Sequence, residues 1–213
     1  MDDCGDLPLI EGLGDDAVIE QGIASALAKG AVPITLGGDH SITYPIMRSI
    51  AAKYGPVNIL HFDAHPDLYD ELQNNRRSHA SPFARIMEDR LAQRLVQVGI
   101  RTLNAHQREQ ASRFGVEIVP MHDFIVSHVP VLVGRLYVSI DMDGLDPAFA
   151  PGVSHLEPGG LSVRDVLNVL ARQTAQLVGA DVVELNPDRD VNDMTATVAA
   201  KFVKELAAMA ARH

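Results

Sequence analysis

Six side chains in this 213-residue sequence have the types and spacing needed to hold divalent cations: His40, Asp63, His65, Asp67, Asp141 and Asp143. Three of them form Asp63-Ala64-His65-Pro66-Asp67, directly after the apolar run Val57 to Phe62. Two more form Asp141-Met142-Asp143, directly after Leu136 to Ile140. On an extended backbone, residues i, i+2 and i+4 point to one side, so the spacing predicts that Asp63, His65 and Asp67 converge at a strand's end. His40 stands in a third strand-to-turn junction, Gly37-Gly38-Asp39-His40-Ser41. Carboxylates and imidazoles without thiolate suit Mn²⁺, and Zn²⁺, Co²⁺, Ni²⁺ and Fe²⁺ are compatible with the same ligand types. Six ligands suit two ions that share carboxylates better than one. Two ions roughly 3.5–4 Å apart can hold a hydroxide between them at neutral pH and stabilise the charge that follows its attack.

Formal charge then bears on the substrate. The four aspartates cancel two divalent ions, and a hydroxide together with Glu184 leaves about −2 at the site, which favours a cationic electrophile over a phosphate ester. Glu184 closes the last apolar strand, and His79 sits on a polar loop. On residue type alone each has an ordinary alternative, an ion pair with Arg189 for the first and a solvated loop position for the second. Asp39 is expected to orient its turn, and His61 to be a hydrogen-bonded core histidine. His106, His122, His128, His155 and His213 are given no functional role, and Asp146, Asp188 and Asp190 a structural one.

The elements that must position these groups alternate between strands and helices. Helices are expected over Asp15 to Lys29, Pro45 to Lys53, Phe83 to Arg90, Asn104 to Phe114, Ser162 to Gln173 and Thr195 to Ala211. Strands are expected at Val32 to Leu36, Val57 to Asp63, Leu95 to Ile100, Val116 to Val119, Leu136 to Ile140 and Val178 to Leu185. Residues 124–134 carry β-branched side chains and Pro130 and fit no regular element. Such alternation predicts an α/β fold: a mostly parallel sheet in a three-layer αβα sandwich, with His40, Asp63, Asp141 and Glu184 at the carboxyl edge, where ligands gather.

With 46% hydrophobic residues the chain can bury one core, so a single domain over 1–213 is expected. The net charge of −10 excludes the basic footprint that nucleic acid or anionic membrane requires. Cys4 is the only cysteine, which excludes an internal disulfide and a cysteine-based zinc cluster. No apolar run approaches the ~18 residues of a membrane span and the acidic start lacks signal-peptide character, so a cytoplasmic location is expected.

Gly37-Gly38-Asp39-His40-Ser41, Asp63-Ala64-His65-Pro66-Asp67 and Ser139 to Pro147 resemble, in order, the three signature motifs of the ureohydrolases, the arginase/agmatinase family. Ser78 to Met87 and His155 to Leu161 resemble its branch of plant arginases and bacterial agmatinases. The resemblance implies one Mn²⁺ on His40, Asp63, Asp67 and Asp141, and another on His65, Asp63, Asp141 and Asp143. It makes Asp67 a catalytic group that takes a proton from the hydroxide, His79 a proton shuttle, and Glu184 the carboxylate that grips a guanidinium. The implied reaction is hydrolysis of a guanidino group to urea and an amine. Agmatine is the expected substrate, because the loop Leu68 to Ser78 lacks the Asn-rich arrangement of animal-type arginases. L-Arginine is the alternative, followed by 4-guanidinobutyrate, with Arg76 and Arg77 as receptors for a carboxylate. A one-zinc deacetylase-like hydrolase and a silent subunit that assembles with a longer homologue are further alternatives. Family members also carry a first strand and a Gly-rich loop ahead of the Asp3-Cys4-Gly5-Asp6 region. The expectation is therefore a domain shortened at its amino end, assembling as a homotrimer or homohexamer.

Overall fold

Outside residues 124–134, the apolar runs bounded by glycine, proline or polar turn residues form strands, and the runs between them form helices. The computed structural model describes residues 2–10, 12 and 14–212, so His213 lies outside the described residues. In chain order the elements are α1 (Asp15–Ala28), β1 (Ile34–Leu36), α2 (Thr43–Tyr54), β2 (Val57–Phe62), α3 (Pro82–Glu88) and β3 (Ala92–Ile100). They continue with α4 (Ala105–Phe114), β4 (Glu117–Pro120), β5 (Arg135–Asp141), α5 (Val163–Arg172), β6 (Gln176–Val183) and α6 (Met194–Ala210).

Local chemistry sets the element boundaries. Asn104 caps α4 by accepting the Gln107 N–H, and Gly115 ends that helix in the left-handed conformation that glycine takes without steric cost. Ser162 and Asp165 form a reciprocal capping box at the start of α5. Residues 124–134 hold no helix or strand beyond a single 3₁₀ turn at Val126–His128, as Pro130 requires.

The six strands pair in parallel in the order β1-β6-β5-β2-β3-β4. Alternate residues feed opposite faces. On β2, Val57 and Ile59 join α1 to α4 in one core, while Leu60 and Phe62 join α5 and α6 in the other. Burial on both faces is what converts these strands into near-continuous apolar runs, each large side chain contributing ~1.5–3 kcal/mol. The result is the expected three-layer sandwich.

The strand order also opens a place for a site. From β2 the chain steps to β3 and β4 on one side, whereas from β5 it steps to β6 on the other. The neighbours β2 and β5 therefore flank the point where the winding reverses, and a crevice opens there at their carboxyl ends.

Candidate metal centre

Asp63 leaves the end of β2 and Asp141 ends β5, so the reversal point brings the two acidic motifs together. They approach to backbone contact. A Cβ on Gly144 would lie 2.8 Å from the Asp63 nitrogen and 2.9 Å from its Cα, so only glycine allows this packing. Arg101, at the end of β3, fastens the same turn by donating to the carbonyls of Asp143 (2.8 Å), Gly144 (3.1 Å) and Leu145 (3.2 Å), and to that of Glu157.

All six sequence-predicted ligands fall into two overlapping groups: His40, Asp63, Asp67 and Asp141, and Asp63, His65 and Asp143. Asp63 is common to both, whereas Asp141 belongs to the first alone. The convergence does not arise as the spacing suggested, because β2 stops at Phe62. Beyond it the chain curls: the Asp63 Oδ1 accepts the His65 N–H at 2.6 Å, and Asp67 adopts φ +48°. Turn geometry rather than strand alternation aims these side chains.

The fit of a cation is tested by His40. Its Nδ1 is buried without a hydrogen-bond partner, 3.1 Å from carboxylate oxygens of Asp67 and Asp141 and 3.4 Å from one of Asp63. An orphaned nitrogen facing three carboxylates is a donor set that a divalent cation satisfies. The ionisation of the cluster points the same way. Burial lowers the His40 pKa, but the Asp141, Asp63 and Asp67 carboxylates outweigh it and hold the imidazole well above its usual range. Burial and the neighbouring Asp63 charge raise Asp67 to about 7, and burial with the Asp143 and Asp63 charges raises Asp141 well above the carboxylate range. Four carboxylates packed this closely call for more positive charge than two imidazoles provide.

Beneath the cluster runs a row of buried polar residues in register across four strands: Asp181 on β6, Ser139 on β5, His61 on β2 and Gln97 on β3. Asp181 accepts hydroxyl protons from Ser139 (2.6 Å), Tyr137 (2.6 Å) and Thr43 (2.8 Å). Since the Ser139 proton is committed to Asp181, the Ser139 oxygen must accept from His40 Nε2 at 2.9 Å. In the neutral ring the Nδ1 lone pair is then directed at the cluster, which is the arrangement a cation replacing the Nδ1 proton requires.

The cleft above the cluster, of about 180 Å³, is lined by His65, Asp67, Tyr69, His79, Thr102 and Gln107, and by Asp141, Asp143, His155 and Glu184. A larger hollow of about 530 Å³ lies at the opposite end of the sheet against Gln93, Arg135, Thr174 and Gln176, away from any of the ligating groups. Glu184 lies one residue beyond β6 at φ +65°, a conformation costly for its side chain, and its Oε1 accepts the His40 N–H at 2.8 Å. Arg189 donates instead to the Ser154 carbonyl, so the alternative ion pair with Glu184 is not formed. Asp39 orients its turn by accepting the Ser41 N–H, and Asp146 and Asp190 accept loop and helix N–H groups, as expected.

Two expectations about the rim change. His155 is in the cleft, its ring 5.8 Å from both His65 and His79. A lone histidine in a loop carried no signal for this; its packing comes from the return of the 145–161 loop, bridged by Leu145 and Leu161. Arg76 pairs with Glu88, and Arg77 pairs with Asp16 while stacking on Tyr44, so neither lines the cleft.

A parallel α/β sheet that collects four aspartates and two histidines at its winding reversal presents a side-chain cluster that could hold divalent cations beside a small polar cleft. Residues 1–209 match the model of the Arginase family. The chain is 54% identical to Arginase 1, mitochondrial, of Arabidopsis thaliana, over 98% of its own length and 66% of that protein's. It is 37% identical to Agmatinase, mitochondrial, of Gallus gallus, over 88% of its length and 59% of that protein's. Among solved structures, the arginase from Medicago truncatula superposes with a TM-score of 0.88 at 47% identity, covering 94% of this chain and 66% of that one. The chain belongs to the arginase family, and it spans just under two thirds of the length of these plant relatives.

Proposed function

We propose that this chain is a manganese-dependent ureohydrolase that cleaves the guanidino group of L-arginine to urea and ornithine. The observation that carries the reaction class is the orphaned His40 Nδ1 among three carboxylates, with Glu184 in the same cleft. The choice of substrate departs from the expectation of agmatine. It is supported by the greater likeness to a plant arginase, 54% identical, than to an agmatinase, 37% identical.

Two Mn²⁺ ions, one held by His40, Asp63, Asp67 and Asp141 and one by Asp63, His65 and Asp143, would supply an activated water and stabilisation of developing oxyanion charge. The chain's own residues do the rest. Glu184, fixed through one oxygen by the His40 N–H, turns its other oxygen to the substrate and holds the planar guanidinium carbon facing the cluster. Asp67 accepts the proton of the attacking water. His79, part-buried at the mouth, exchanges protons between solvent and the departing amine. Because no Arg or Lys among the described residues lines the cleft, the α-carboxylate and α-amino group of the substrate meet Tyr69, Thr102, Gln107 and His155.

Urea release from L-arginine, agmatine and 4-guanidinobutyrate, assayed with added Mn²⁺, tests the reading. The expected result is the highest kcat/KM on L-arginine. A reversed ranking restores agmatine, and inertness toward all three ends the proposal or, if a longer homologue revives activity, reassigns the chain as a subunit. Self-assembly into trimers or hexamers belongs to the same proposal and is read by sedimentation velocity.

A further inference from the structure

We propose that Gln97, on a strand that supplies none of the six ligands, is a positioning residue that orients two carboxylates at once: Asp63 through His61, and Asp67 through the Pro66 carbonyl. The inference rests on the reading that Asp63 and Asp67 hold a cation, and it extends that reading.

Gln97 is fully buried, and its Nε2 lies 2.7 Å from the Pro66 carbonyl oxygen and 3.1 Å from His61 Nδ1. A carbonyl can only accept, so the amide nitrogen, not its oxygen, must face Pro66. Its second N–H then addresses His61 Nδ1, which must present a lone pair. The proton of the neutral ring therefore sits on Nε2, 2.8 Å from Asp63 Oδ2. The Phe83 ring, with centroids 4.0 Å apart, keeps the imidazole in its plane. With Oδ1 accepting the His65 N–H at 2.6 Å, both oxygens of Asp63 are held in direction.

The second arm acts on the backbone. The Pro66 carbonyl belongs to the peptide that leads into Asp67, whose φ of +48° is a conformation side-chain-bearing residues seldom adopt. The Gln97 N–H fixes that peptide's orientation and so the direction in which Asp67 leaves the chain. A further observation separates Gln97 from a residue that merely fills space. Its Oε1 is buried without a hydrogen-bond partner, a penalty that an apolar side chain of the same volume avoids.

The test uses the full chain stripped of metal and titrated with Mn²⁺, the free ion being followed by electron paramagnetic resonance. Gln97→Met keeps the volume and removes both donors. It is expected to bind Mn²⁺ about 10- to 100-fold more weakly with an unchanged circular dichroism spectrum, the range seen when an outer partner of a ligand is lost. In a His61→Phe background the same substitution is expected to cost less than it does alone, because one arm is already gone. Wild-type affinity in Gln97→Met, or losses that simply multiply in the double variant, would overturn the proposal. Should Gln97→Met fail to fold, Gln97→Glu, which keeps the shape and cannot supply two N–H donors, is judged by the same titration. A wild-type chain that takes up no Mn²⁺ removes the metal-site reading and this inference together. Wild-type uptake with indifference to residue 97 removes only the inference.

Discussion

Replacing Asp181 by Asn probes the buried row most directly, because it alters one atom at the head of the hydroxyl network. The carboxylate accepts three hydroxyl protons, two on Oδ2 from Thr43 and Tyr137 and one on Oδ1 from Ser139. An amide can keep its carbonyl toward Thr43 and Tyr137, in which case its NH₂ faces Ser139. Ser139 must then accept from that amide as well as from His40, and its own proton loses its acceptor. The opposite orientation strands two hydroxyl protons, those of Thr43 and Tyr137, and is the poorer choice. One stranded buried donor costs ~1–3 kcal/mol, and weakening the remaining charge-assisted bonds adds about 1 kcal/mol. A total of roughly 2–4 kcal/mol corresponds to a fall in thermal midpoint of roughly 4–16 °C for a chain of this size. Differential scanning calorimetry with and without Mn²⁺ reads it, and the loss should be larger with Mn²⁺, because a Ser139 proton released from Asp181 can turn to His40 Nε2 and so compete with the tautomer that ligation requires. An Asp181→Asn protein with the wild-type midpoint and the wild-type gain from Mn²⁺ would refute the argument.

Gly144→Ala places a Cβ against backbone atoms that cannot move aside; it should destabilise the fold by ~1–3 kcal/mol in urea titrations and weaken Mn²⁺ uptake, and a neutral substitution would contradict the packing of the two motifs. Glu184→Gln should leave Mn²⁺ affinity intact and lower kcat/KM on L-arginine by about 10- to 150-fold, the worth of one charged hydrogen bond; a loss under about threefold would remove Glu184 from substrate binding. Exhaustive dialysis against a chelator should lower the thermal midpoint, and Mn²⁺ at about a hundred times its Kd should return ~2.7 kcal/mol, with no shift on addition arguing against a cation site. The Asp146 pKa is lowered by the N–H groups of Ala148 and Gly159, burial opposing and Gly160 adding to the effect. A depressed carboxylate stabilises the fold fully above its unfolded value of about 4 and loses that contribution as pH falls through the lower folded value. Urea midpoints between about pH 6 and 3 should therefore fall less steeply in Asp146→Asn than in the wild type; identical slopes would count against this role.

The layers and most elements were legible because strands buried on both faces have to be written as apolar runs, and their ends as Gly, Asp, His and Pro. The ligand set was legible for the same reason: polar groups placed at the end of such runs stand out. Their aim was not, since spacing cannot distinguish an extended continuation of β2 from the curl at Asp63 and Asp67. Of the residues beneath the cluster, His61 is the hydrogen-bonded core histidine that was expected, whereas Ser139, Gln97 and Asp181 were missed, although they left a trace. His61 and Ser139 each lie two positions before an acidic motif, and Gln97 and Asp181 interrupt apolar strands at positions that pair with them. A polar residue that breaks such a run is worth asking about. His155 had no comparable mark, because only the return of a long loop brings it to the rim, and the fates of Arg76 and Arg77 depend on acidic partners on α1 and α3.

The adjacency of β2 and β5 has a consequence for biosynthesis. These strands touch in the sheet, yet α3, β3, α4 and β4 are made between them. A nascent chain that has emerged only as far as Gly134 carries His40, Asp63, His65 and Asp67 but no Asp141 or Asp143 to close the cage. A cation held by both sets of side chains would therefore report that a pairing between strands far apart in the chain has been made, the kind of non-local contact that forms slowly.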